Sequence, residues 1–180
     1  MSVTQVHEAL GSFEFELLSV IPREVLDNIQ HFDHIAVIPG RIDPRQYGDG
    51  CLDAARYVGV IRRKKYADDG RTNLIQDDIR ISGVGMEFWL GDDDGKGNVI
   101  ESPVEFNGAT FSTVLNTLRP SSVGAGTIHS VSGSYAGRHV YETPRDAIKY
   151  VCQIMSTESV PVGYKVTNSA KLDAGLRRAL

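Results

Sequence analysis

The chain predicts a mainly β fold of the α+β class, and three features of its 180 residues carry that expectation. Two stretches, 56–62 and 78–90, alternate apolar and polar residues around glycines. That pattern suits a curved, barrel-like sheet, because glycine lets the backbone bend where a Cβ would obstruct it. Phe13-Glu14-Phe15-Glu16-Leu17 repeats with period two, as a strand does when one face is wet. Helical signals are short, and the clearest fall late in the chain. The expected layout is a β-barrel domain with inserted short helices over residues 1–105 and a second α+β unit over 106–180, open to continuation past Leu180.

Taken in order, Pro22 opens a short helix over 23–29, with Val25, Leu26 and Ile29 expected on one face and proline where the first N–H lacks a partner anyway. His34-Ile35-Ala36-Val37-Ile38, closed by Pro39-Gly40, predicts a buried strand ending in a turn, and Asp43-Pro44 and Tyr47-Gly48-Asp49-Gly50 continue as loop. The basic run Arg62-Arg63-Lys64-Lys65 fits a solvated hairpin end better than a phosphate patch, since lysines there discourage edge pairing. Asp92-Asp93-Asp94-Gly95-Lys96-Gly97-Asn98 resembles a calcium loop only superficially. An EF-hand needs its glycine at the sixth place and a glutamate at the twelfth, so a tight hairpin turn is expected.

Further along, Phe111, Val114, Leu115 and Leu118 recur at helical spacing before Arg119-Pro120 stops the helix. The Ser- and Gly-rich stretch 121–137 reads as a loop or a weak hairpin around Thr127–Val131. Thr143-Pro144-Arg145-Asp146 announces the strongest helix: threonine caps it, proline takes the first position, and Asp146 faces the positive end of the dipole. Its buried stripe is Ala147, Ile148, Val151, Cys152 and Met155. Val162–Val166 follows as a strand, and Lys171-Leu172-Asp173-Ala174-Gly175 as a turn leading into more structure.

Composition narrows the function. Nineteen basic residues against 23 acidic ones give a net charge of -4, which offers no general attraction for nucleic acid or anionic membrane. No run approaches the roughly 20 apolar residues of a membrane-spanning helix. The start, Met1-Ser2-Val3-Thr4-Gln5-Val6-His7-Glu8, lacks the pattern of a secretory signal, so action without export is expected. Cys51 and Cys152 lie far apart, without a second cysteine at metal-ligand spacing, and are read as reduced thiols.

Chemistry-bearing motifs are missing from the sequence: there is no P-loop, no G-x-S-x-G elbow, no H-E-x-x-H and no dinucleotide fingerprint. Among His7, His31, His34, His129 and His139, only His31 and His34 are close in sequence, and His34 leads into a strand where side chains diverge. His129 beside Ser130, Ser132 and Ser134 lacks a third group to orient a base, and Asp77-Asp78 occupies oppositely directed strand positions. The expectation is no enzyme: no catalytic, cofactor-binding or metal-binding residue and no cofactor. The rival reading is a small hydrolase or ligand-binding β-barrel with a site near the 121–138 loop and His129 or His139. A third is a carbohydrate-binding module using Tyr47, Tyr135 or Tyr141.

The segments Gly40-Arg41-Ile42-Asp43, 55–61, 81–90 and 171–175 together resemble the minor tail proteins of actinobacterial siphophages, similar to the tail-tip or baseplate hub. The resemblance implies β-barrel domains with inserted helices, assembled with copies of itself as a homotrimer ring. It further implies a virion protein made in the host cytoplasm, joining the tail tube or distal tail ring to the distal fibre or host-contact apparatus. Implied partners are the distal tail protein, the tape measure protein and other minor tail proteins, without nucleic-acid specificity or an integral membrane segment.

Overall fold

A computed structural model describes residues 2–4, 11–17, 21–38, 55–66, 74–75, 79–91 and 98–177. Strand and helix alternate along them: β1 Ser2–Thr4, β2 Ser12–Leu17, β3 Ile21–Pro22, α1 Arg23–Asn28, β4 His34–Val37, β5 Tyr57–Lys65, β6 Leu74–Ile75 and β7 Ile79–Gly85. After a 3-10 helix, Met86–Leu90, come β8 Val104–Ala109, α2 Phe111–Leu118, β9 Gly124–Ile128, β10 Tyr135–His139, α3 Pro144–Met155, β11 Val162–Val166 and β12 Lys171–Leu176. The mainly β, α+β class stands. Two compact units divide the chain, one holding Leu10–Met86 and the other Glu87–Leu180.

The first unit is built on an antiparallel sheet in the order β1-β2-β7-β5-β4, with β3 and β6 paired beside it. Among the described residues this sheet stays open, with β1 and β4 at its edges, so no barrel closes there. Phe13, Tyr57, Ile61 and Ile81 form the core, joined by Phe15, Ile29, Ile35 and Val37. The Phe13 ring lies across two glycines. A Cβ at Gly59 would stand 2.5 Å from its ring, and one at Gly83 would stand 2.6 Å from it and overlap the Val60 carbonyl oxygen. Glycine is required at both sites because the aromatic and the neighbouring backbone already fill the space.

Several expectations change here. Val25 is 51% exposed while Leu26 is fully buried, so α1 turns a narrower face inward. The strand at His34 is half-exposed at a sheet edge and not buried. The basic run is the end of β5 where it pairs antiparallel with β7, and there Lys64 reaches back to α1. Its ammonium donates to the carbonyls of Leu26 at 2.5 Å and Ile29 at 3.0 Å, satisfying helix-end acceptors. The stretch 78–90 stops being a strand at Gly85: Met86, Glu87, Phe88 and Leu90 are all buried, and a run buried on every side has no alternation to keep it in a sheet. The loop at 43–50, the hairpin turn at 92–98, Cys51, His7, Tyr47 and Asp77-Asp78 lie wholly or largely outside the described residues.

In the second unit, α2 forms where its apolar spacing predicts and α3 where its cap predicts. Thr110 accepts from the Thr113 N–H at 3.3 Å and Thr143 from the Asp146 N–H at 3.1 Å. Phe111, Val114, Leu115 and Leu118 of α2 and Ala147, Ile148, Val151 and Cys152 of α3 are buried with Val162, Tyr164, Leu172 and Ala174 of the sheet. Ser156 ties the end of α3 to β11, donating to the Cys152 carbonyl at 2.7 Å and accepting from the Val162 N–H at 2.9 Å.

Stretch 121–137 is irregular at 121–123 and 129–134, and the strands it carries do not form a hairpin with each other. It supplies β9, which runs parallel to β12, and the start of β10, which pairs antiparallel with β8. Lys171–Gly175, expected as a turn, falls within β12, the middle strand of the order β11-β12-β9. The β9–β12 ladder shifts register between Leu172 and Ala174, where β9 carries one extra residue. Asp173 repairs the gap, its carboxylate accepting from the Thr127 N–H at 2.7 Å, while Gly126 leaves room for it.

Candidate functional site

The polar centre of the second unit lies on β10, where Tyr135, Gly137 and His139 share a face. A Cβ at Gly137 would meet the Tyr135 ring, 2.7 Å from Cζ, so only glycine lets that ring lie back along its own strand. The tyrosine hydroxyl thereby comes 2.8 Å from Nε2 of His139, and the two rings stack at 5.8 Å. Phe106 of β8 stands edge-on to both rings, and Tyr150 of α3 edge-on to the imidazole. On its other side, Nδ1 of His139 lies 2.7 Å from Oε1 of Glu142.

The donors follow from the acceptors. A carboxylate only accepts, so Nδ1 carries the proton toward Glu142, and Nε2 accepts from the Tyr135 hydroxyl. Burial, followed by the nearby Tyr150 and Glu142, pushes the Tyr135 hydroxyl above its usual range and keeps it a donor. Tyrosine, histidine and glutamate thus form a directed chain with the outline of a proton relay. Tyr135 and His139 are each 2% exposed, however, and every polar atom of their side chains is engaged within the chain. The arrangement locks β10 to the turn that follows it.

The other residues weighed for chemistry stay apart. His129 is exposed after β9, its N–H donating to the Ala174 carbonyl at 2.9 Å, and Ser130, Ser132 and Ser134 are exposed beyond it. None of those hydroxyls bonds either histidine. His31 and His34 are exposed on a turn and on β4, and no cluster of three metal-ligating side chains exists among the described residues. No helix among them is long and apolar enough to cross a membrane. Cys152 is buried on the inner face of α3. Of the tyrosines considered for carbohydrate, Tyr135 is buried and Tyr141 is 82% exposed.

One titratable group escaped sequence reasoning. Glu87 is 9% exposed on the 3-10 helix, and burial raises its carboxyl to about 7 against the lowering effect of backbone hydrogen bonds from its own residue and Val166. Its signal was a lone acid inside Met86-Glu87-Phe88-Trp89-Leu90. The sheet of the first unit, meanwhile, shows a charged solvent face: Glu14 and Glu16 on β2, Arg80 on β7 at 3.6 Å from Glu16, and Arg63 and Lys65 on β5. Tyr141, Tyr150 and Ile154 add exposed apolar area on the second unit.

Comparison with known proteins locates the fold. No protein-family model matches the chain, and no curated protein matches it. Among solved structures, it is similar to the 43 kDa tail protein of prophage MuSo2 from Shewanella oneidensis, with a TM-score of 0.60 at 16% identity. The likeness covers 96% of this chain and 48% of that protein, so the chain spans about half of its length.

Proposed function

We propose that the chain is a structural protein of a phage tail, and within the tail a minor protein of the tip, of the baseplate-hub type found in siphophages. The carrying observation is the fold it shares, over 96% of its length, with about half of a prophage tail protein. Support also comes from the inward-turned polar centre, where Tyr135, His139 and Glu142 satisfy one another in a buried lock, and from the charged and apolar surfaces suited to extended contacts. In this reading copies of the chain close a trimeric ring that joins the tail tube or distal tail ring to the fibre or host-contact apparatus. Distal tail, tape measure and other minor tail proteins are its neighbours.

Mass photometry and negative-stain imaging of the purified chain test the ring. A closed trimer with a central opening is the expected result. A monomer at every accessible concentration, alone and mixed with the distal tail protein, overturns the hub assignment.

A further inference from the structure

On the solvent face of the first unit, Ser12 pairs directly with Val84, and Glu14 with Ser82. Between these pairs, Phe13 and Gly83 are paired on the core-facing side, and both also line the space between the pairs. The result is a hollow of about 390 Å³, bordered by Ser12, Glu14, Arg62, Ser82 and Val84, within the roughly 300–1,000 Å³ range of small-molecule sites. Arg62 reaches it through a bulge. Ile61 pairs with Gly83 and Arg63 with Ser82, so Arg62 is the extra residue between them, and a bulge re-aims the side chain it carries.

A second feature meets the same arginine. The turn from Gln30 to Asp33 is closed by the Asp33 N–H on the Gln30 carbonyl at 3.3 Å and by the Gln30 N–H on the Asp33 carboxylate at 2.7 Å. Its third residue, Phe32, has φ 73, a left-handed conformation that glycine adopts freely and a bulky side chain resists. Phe32 is nevertheless 51% exposed, with the Arg62 guanidinium 5.8 Å from its ring centroid. The Phe32 N–H donates to the Ile61 carbonyl at 2.9 Å, which holds the backbone in this turn, while burial does not account for the aromatic side chain left exposed there.

We propose that this face binds a neutral saccharide. Glu14 supplies acceptors and Arg62 a fork of donors, while the Ser12 and Ser82 hydroxyls serve as either, which matches a ring of hydroxyl groups. Val84 and Phe32 offer apolar contact to the ring's C–H faces. A simple anion is disfavoured by Glu14, and a simple cation by Arg62. The inference does not rest on the tail assignment; it stands or falls on binding alone.

Calorimetric titration of the full chain with glucose, galactose, N-acetylglucosamine, maltose and lactose tests it, with diglycine and sulfate as charged probes. Binding of at least one sugar is expected, weakened about tenfold or more by Glu14→Gln and by Ser82→Ala, as loss of a hydrogen bond to a ligand predicts. Phe32→Gly should weaken binding while leaving the melting temperature unchanged or raised, a pairing that a merely structural phenylalanine would not give. The proposal is overturned if no sugar binds, if only the charged probes bind, or if sugar binding is unaffected by Glu14→Gln and Phe32→Gly.

Discussion

Both units seat an aromatic ring on glycine, and they do it for opposite ends. In the first, Phe13 lies across Gly59 and Gly83 of two neighbouring strands, and the space released is filled with apolar ring. In the second, Tyr135 folds over Gly137 of its own strand, and the room serves to bring a hydroxyl to an imidazole. The first arrangement resists change in volume, whereas the second resists change in hydrogen-bonding partners. Stability in the one should follow side-chain size; in the other, polarity and pH.

The sharpest way to break that contrast is Phe13→Ala, expected to cost ~4 kcal/mol in denaturant unfolding because it empties a seat the strands cannot close. Gly83→Ala should be nearly as harmful, and adding Phe13→Leu should not rescue it, since the Val60 carbonyl also blocks the new Cβ. Rescue would mean that the ring alone sets the constraint.

Next comes pH. Glu87 holds its proton to about 7 when folded, against 4.5 for the free side chain. Its folded form is therefore favoured below pH 4.5, and that contribution is lost as pH rises toward and through 7, by ~3 kcal/mol in all. Thermal melts across this window should show Glu87→Gln removing that share of the slope; parallel profiles for variant and wild type would refute the assignment.

A smaller effect tests the polar lock. His139→Phe leaves the Tyr135 hydroxyl buried without its partner and should cost ~2 kcal/mol, while adding Tyr135→Phe should recover about half, because removing both partners is cheaper than removing one. Additive losses would show that the pair matters through volume, as in the first unit. Smallest of all, Glu16→Ala breaks an exposed pair with Arg80 and should shift stability by less than ~0.5 kcal/mol.

What the sequence made legible was local. Helix α2 announced itself through the spacing of Phe111, Val114, Leu115 and Leu118 and α3 through Thr143 and Pro144, signals that act within a turn or two. The strands β9 and β12 did not, because their pairing is parallel and joins segments far apart, and Gly124, Ala125 and Gly126 carry little β signal of their own. The polar chain was half visible. Tyr135 and His139 each drew notice, but their meeting depends on Gly137 and on the register shift in the β8–β10 ladder, which no periodicity encodes. Phe32 was hidden for a related reason: its strain belongs to the backbone of a turn and not to its residue type.

The central place of β12 also orders events in time. Gly124–Ile128 reaches its parallel neighbour only after some forty further residues have been added. During synthesis the helices α2 and α3 can form as they emerge, yet the sheet they cover lacks its middle until Leu176 has left the ribosome. This unit must wait for β12 before its sheet can close, with β9 exposed to other chains in the interval.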